Sequence, residues 1–219
     1  MLNKYIDHTL LKPTATTNDV LSLCSEAKQY DFKSVCVNPS HVATAKSALD
    51  GTSVLVCTVI GFPLGANTTE TKVQEASNAI EDGADELDMV INIGKAKEHD
   101  YQYITTEISE LVAIAEGRTV KVILETCFLT DEEKVEVCHC AAVAGASFVK
   151  TSTGFGSGGA TLHDIDLMRA SIPTEMGVKA SGGVRTYEDA MAYIAHGATR
   201  IGTSGGVAIM NYKPSKEGY

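Results

Sequence analysis

Three stretches of this chain end in the same way. Asp82-Gly83-Ala84-Asp85, Ala144-Gly145-Ala146-Ser147 and His196-Gly197-Ala198-Thr199 each set Gly-Ala between the last turn of a helical pattern and a β-branched run. A glycine at that point stops a helix by turning left-handed, so the recurrence points to one β/α unit used repeatedly. The unit can be followed along the whole chain. Strand patterns at residues 4–7, 34–37, 54–60, 86–91, 120–125, 147–151, 177–180 and 199–202 alternate with helical periodicity at 17–30, 40–49, 68–82, 101–115, 131–144, 161–170 and 187–196, and a short last helix follows Ser204. Eight of each in 219 residues leaves about 27 residues per unit, enough for a strand, a helix and two short loops. No Pro/Ser-rich or low-complexity run interrupts the pattern, so residues 1–219 read as one domain with a short C-terminal tail. The expected fold is α/β, a single parallel eight-stranded β/α (TIM) barrel. A doubly wound open sheet shares the alternation but seldom uses eight units of equal length.

Charge and cysteine content narrow the function. A net charge of −10 opposes nucleic acid, whose phosphate backbone is bound through clustered Lys and Arg. No apolar run reaches the roughly 18 residues of a membrane helix, and the opening segment lacks the apolar stretch of a signal peptide. A cytoplasmic protein with no membrane partner is expected. Six cysteines in such a chain read as buried free thiols. Cys138-His139-Cys140 is the only metal-like spacing, and structural zinc sites favour wider spacing with a second pair, so no metal is expected.

In a barrel of this kind ligands bind where strands end and the following loops begin. Asp88, Lys150 and Lys179 each break an apolar strand run, and a charge inside a barrel strand is costly unless paired or partly solvated. Lys150 and Lys179 are 29 residues apart and Asp88 and Lys150 are 62 apart, close to one and two repeats. The spacing predicts equivalent heights on the fourth, sixth and seventh strands. A buried ion pair would account for one lysine, whereas two ammonium groups disfavour each other's protonation and leave one free to attack a carbonyl. Glycine-rich loops follow the sixth, seventh and eighth strands: residues 151–159, with Thr151, Thr153 and Gly154; residues 181–185, with Ser181, Gly182 and Gly183; and residues 202–206, with Gly202, Ser204 and Gly205. Glycine lets backbone N–H groups converge on an anion, and the loops after strands seven and eight are the usual phosphate grip of these barrels. Glu125, at the end of the fifth strand, is either a hydrogen-bonded rim carboxylate or a catalytic one. Asp7, read as ending the first strand, is a supporting acid.

The chain resembles the deoxyribose-phosphate aldolase family. The resemblance runs in order through Tyr5-Ile6-Asp7-His8-Thr9-Leu10-Leu11-Lys12-Pro13, Val59-Ile60-Gly61-Phe62-Pro63-Leu64-Gly65, residues 86–94 (ELDMVINIG), 148–155 (FVKTSTGF) and 178–185 (VKASGGVR). It implies reversible cleavage of 2-deoxy-D-ribose 5-phosphate to D-glyceraldehyde 3-phosphate and acetaldehyde, with no cofactor and a small-molecule substrate as partner. It also implies that Lys150 forms the Schiff base, that Lys179 keeps it unprotonated, that Asp88 relays protons and that Cys36 lies near the substrate. Some members use a C-terminal tyrosine in the enamine proton step, which would make Tyr219 catalytic. Phe155 departs from members with a lysine there, leaving the phosphate to backbone amides, with Arg185 as a further contributor. A transaldolase-type Schiff-base enzyme and a non-catalytic sugar-phosphate binder are the alternatives. A homodimer is the expected assembly.

Overall fold

The computed structural model describes residues 2–215. Its strands are β1 (Ile6–Leu10), β2 (Ser34–Val37), β3 (Leu55–Ile60), β4 (Glu86–Val90), β5 (Thr119–Ile123), β6 (Phe148–Lys150), β7 (Gly177–Ser181) and β8 (Arg200–Thr203). Each pairs in parallel with the next, and β8 pairs with β1, so the sheet closes into a barrel. The helices are α1 (Thr17–Tyr30), α2 (Val42–Ala48), α3 (Thr69–Glu81), α4 (Ile93–Lys97), α5 (Tyr101–Ile114), α6 (Asp131–Val143), α7 (Leu162–Ala170), α8 (Tyr187–Ala195) and α9 (Gly206–Met210). None among the described residues is long and apolar enough to cross a membrane.

The repeated Gly-Ala endings are one local structure. Gly83, Gly145 and Gly197 have φ of 103°, 81° and 106°. The alanine that follows sends its N–H back to the helix, Ala84 to Ala79 O at 2.9 Å, Ala146 to Ala141 O at 3.0 Å and Ala198 to Tyr193 O at 2.9 Å. The next residue then starts the ladder, with Asp85, Ser147 and Thr199 donating to Val56, Val120 and Val178 of the preceding strand. Helix termination and strand entry are therefore set by the same four residues. Helix starts are as regular: Thr16, Thr68, Thr130, Thr161 and Thr186 each accept an N–H from the first turn.

Two expectations need correction. The strand placed at residues 4–7 begins only at Ile6, because residues 2–5 form a 3₁₀ turn pinned by Asn3, whose amide donates to Tyr30 O and Asp31 O at 3.2 and 2.9 Å. Asp7 thus lies near the start of β1 and faces the barrel interior. The second is α4, which the helical pattern did not reveal. It is capped by Asn92 and braced by a buried ion pair, Lys72 to Glu107 at 2.6 Å, whose members also bind Val90 O and Asn92 N.

Strand register and alternation stack the inward side chains in three layers of four. Ser34, Glu86, Phe148 and Arg200 lie lowest. Asp7, Cys57, Lys121 and Lys179 lie above them, then Cys36, Asp88, Lys150 and Gly202 towards the C-terminal mouth. Barrels of this type usually fill these layers with branched apolar residues. Here they hold three carboxylates and four cations. The apolar core sits instead between barrel and helices, where the outward residues Val35, Val56, Leu87, Val122, Val149 and Ile201 are fully buried. Gly177 shows how tightly the floor is closed, since a β-carbon there would lie 2.1 Å from the Phe148 ring.

Candidate active site

The seven charged groups reach the barrel axis from six strands, with Glu86 and Asp88 sharing β4, so the ladder fixes each against its neighbours. Asp88 on β4 is the hub. One of its oxygens accepts from Lys121 Nζ at 2.6 Å and from Cys57 Sγ at 3.1 Å; the other accepts from Lys179 Nζ at 2.8 Å and Lys150 Nζ at 3.0 Å. Asp7 takes Lys179 Nζ at 2.5 Å on one oxygen and Ser34 Oγ and Arg200 Nη1, both at 2.7 Å, on the other. Below them Glu86 pairs with Arg200 through both of its oxygens, at 2.9 and 3.2 Å, and meets Lys121 at 2.7 Å.

Burial alone would raise the Asp88 carboxyl, but Lys121, Lys150 and Lys179 outweigh it and hold it well below the usual carboxylate range. Asp7 is lowered in the same way against burial, by Lys179 and Arg200. For Lys179 burial favours the neutral amine, and the facing Asp7 and Asp88 reverse this and raise it above an ordinary lysine. Lys121 is raised likewise, by Asp88, Cys57 and Glu86. Lys179 and Lys121 are therefore lasting positive charges.

Asp88, Lys150 and Lys179 converge as expected, but not at one height. Lys150 and Lys179 are ladder partners, and the tilt of the strands sets Lys179 one layer beneath Lys150. Lys150, 3% exposed where Lys121 and Lys179 are fully buried, is the outermost of the three amines. Cys36 lies in the same upper layer, its thiol lowered by a hydrogen bond from Cys57 against burial. Cys36 Sγ, Cys57 Sγ and an Asp88 oxygen lie within 4.8 Å of one another. The same carboxylate meets three ammonium groups, whose charge opposes a metal cation there.

The loop residues divide into two kinds. Thr151 Oγ1 donates to Ser181 O at 3.0 Å and accepts from Ser181 N at 3.1 Å, and Ser181 Oγ donates to Ser152 O at 2.6 Å, so both hydroxyls tie β6 to β7. Thr153 is held by Glu125. Gly182 and Gly183 have φ of 80° and 81°, and Gly154 lies against Gly182. Gly205 is overlaid by Ser215, whose N–H donates to Arg185 O at 2.8 Å. Ser204 lines a cavity of about 420 Å³ with His8, Thr9, Lys12 and Glu26. Tyr219 lies outside the described residues.

Sequence reasoning missed Lys121, Glu86, Arg200, Cys57 and Ser34. One signal was available for Lys121: it precedes Lys150 by 29 residues, the interval that separates Lys150 from Lys179.

A family model described as DeoC/LacD family aldolase matches residues 1–211. A deoxyribose-phosphate aldolase of Streptococcus sanguinis is 57% identical over 218 residues, covering 100% of this chain and 99% of the relative. One of Thermococcus gammatolerans is 60% identical over 211 residues, 94% of each. Among solved structures, a putative deoxyribose-phosphate aldolase from Coccidioides immitis superposes with a TM-score of 0.94 at 44% identity, over 96% of this chain and 84% of that one. The enzyme from Aeropyrum pernix, described as a unique tetramer, does so at 0.90 and 37% identity, over 96% and 89%.

Proposed function

Since the chain belongs to the DeoC/LacD family of aldolases, we propose that it cleaves 2-deoxy-D-ribose 5-phosphate reversibly to D-glyceraldehyde 3-phosphate and acetaldehyde through a Schiff base on Lys150. The observation that carries the assignment of Lys150 is the charge count inside the barrel. Four cations face three carboxylates, and Asp88 alone is shared by three ammonium groups. Lys179 and Lys121 each have a further carboxylate; among the described residues Lys150 pairs with Asp88 only, at the longest of the three distances. Lys150 is thus the amine least held by ion pairs and the one free to act as the nucleophile.

The neutral amine adds to the aldehyde carbon of the ring-opened sugar, and loss of water gives an iminium. Asp88, acting through water, takes the hydroxyl proton at carbon 3. The bond between carbons 2 and 3 breaks, its electron pair moves into the iminium, and an enamine of acetaldehyde stays on Lys150. Protonation at the enamine carbon and hydrolysis release acetaldehyde. Lys179 holds Asp88 and Asp7 in place and keeps a positive charge beside the nucleophile. The phosphate is held by backbone N–H groups around Gly182, Gly183 and Gly205, at the mouth beside Lys150. The reaction fits a cytoplasmic role in deoxyribonucleotide breakdown, and a homodimer is proposed as the smallest assembly. Borohydride reduction in the presence of acetaldehyde tests the chemistry: an ethyl group fixed on Lys150 is expected, and its absence would refute the Schiff base.

Tyr219 is proposed to pass the proton to and from the enamine carbon. Deleting it is expected to slow exchange of acetaldehyde methyl protons with solvent by roughly 10–100-fold. Sugar-phosphate binding should change little. Exchange at the wild-type rate, followed by NMR in D₂O, would remove Tyr219 from the mechanism.

A further inference from the structure

Glu125 makes no direct ion pair with the lysine cluster, though Lys150 acts on it electrostatically, and it is buried, with 2% of its surface exposed. It lies two residues beyond β5 with φ 55°, a conformation that a non-glycine residue keeps only when its surroundings impose it. The surroundings here are the extended ladder on either side, Leu124 N to Lys150 O at 2.9 Å and Thr126 N to Thr151 O at 3.0 Å. Between these two bonds the side chain turns onto the next loop. Its carboxylate accepts from Thr153 N at 3.1 Å and from the Thr153 hydroxyl, which in turn accepts from Phe155 N at 3.0 Å. Burial raises the carboxyl above the ordinary range, and the Thr153 bonds and then the Lys150 charge oppose the shift. Keeping such a group dry has a cost, and what it gains is contact with one loop.

That loop is laid down as a single body. A β-carbon on Gly156 would lie 2.9 Å from Cys127 Sγ and 3.1 Å from Glu125 Cδ, and one on Gly158 would lie 3.1 Å from Cys127 Cβ. At its far end a β-carbon on Gly159 would meet Gly182 O at 2.2 Å, and Ala160 N donates to Ser181 O and Gly182 O, both at 3.0 Å. These glycines permit close docking on β5 and β7, a different use from cradling a phosphate. Between the two ends Gly154 meets Gly182. The Phe155 ring stands edge-on to Phe62 at 5.3 Å, and Phe62 packs on Leu11, Cys36, Cys57 and Val59.

We propose that Glu125 is a positioning residue for the sugar-phosphate end of the site: it clamps residues 153–159 across the mouth, so that the Gly182 turn is backed and the apolar wall above the thiols is closed. The proposal rests on the Schiff-base reading above. It separates from that reading because acetaldehyde alone needs Lys150 but not the clamped loop.

The test is Glu125→Ala, which keeps a β-carbon and hence the same backbone strain. KM for 2-deoxy-D-ribose 5-phosphate should rise about 10- to 100-fold, as expected for two lost hydrogen bonds to a buried acid, while borohydride trapping of acetaldehyde on Lys150 stays within about threefold of wild type. Glu125→Gln, which retains a carbonyl oxygen for Thr153, should show a smaller rise. If Glu125→Ala does not fold, Gly156→Ala lifts the loop from its other side and must give the same split. An unchanged KM would overturn the proposal, and so would acetaldehyde trapping that falls in step with KM, the mark of general loosening. Failure to trap acetaldehyde in the wild type would instead overturn the Schiff base itself.

Discussion

Lys150→Ala is expected to lose turnover by on the order of 10⁴–10⁶-fold while melting no lower than the wild type. The two halves have one cause. Removing Lys150 leaves Lys121, Lys179 and Arg200 facing Asp7, Glu86 and Asp88, three charges against three, with every carboxylate still bonded. A buried charge removed from a balanced cluster strands its partner and is strongly destabilising. Lys150 is the surplus charge, and its only ionic contact among the described residues is the 3.0 Å one to Asp88, which keeps two other ammonium groups. No other amine takes over, because Lys179 and Lys121 are raised by their carboxylates and stay protonated. Turnover and thermal melting check the two halves separately. Mass spectrometry after borohydride checks the assignment, since an acetaldehyde adduct on another lysine of the variant would refute it.

What could be read in the sequence was whatever a local pattern writes down. The Gly-Ala endings are local, because the same glycine that stops α3, α6 and α8 delivers the next residue to the ladder, and the barrel followed from counting units. Lys150 and Lys179 stood out because each is a lone charge in an apolar strand run. Lys121 is the same kind of residue, but Val120-Lys121-Val122 alternates, and only register tells an inward lysine from an outward one. Arg200 and Glu86 open their strands, where charges are ordinarily solvated; that these two face each other across 114 residues is a long-range fact. Closure of the barrel decides it. Glycine was ambiguous for the same reason. Gly156, Gly158 and Gly159 look like an anion cradle in the sequence, and the demand for them comes from Cys127 and Gly182, in the loops that follow β5 and β7.

Charge balance also predicts that Lys179→Leu and Asp88→Asn move the acid limb of the pH–rate profile in opposite directions. Without Lys179 the interior holds Lys121, Lys150 and Arg200 against three carboxylates, a balance that is met only while Lys150 keeps its proton. The acid limb should therefore move up, and activity at neutral pH should fall accordingly. Leucine would sit one layer below the Lys150 amine, so it alters the charge facing that amine more than its solvation. Asp88→Asn does the reverse: two carboxylates then face four cations, Lys150 loses its proton more readily, and the limb should move down. The plateau should nonetheless drop roughly 10²–10⁴-fold, because a carboxamide cannot relay the carbon 3 hydroxyl proton. Asp88→Asn should also cost about 3–5 kcal/mol of stability, since Lys121 and Lys179 lose a buried partner. An acid limb that stays in place in both variants, or moves the same way in both, would show that the interior charge count does not govern the nucleophile.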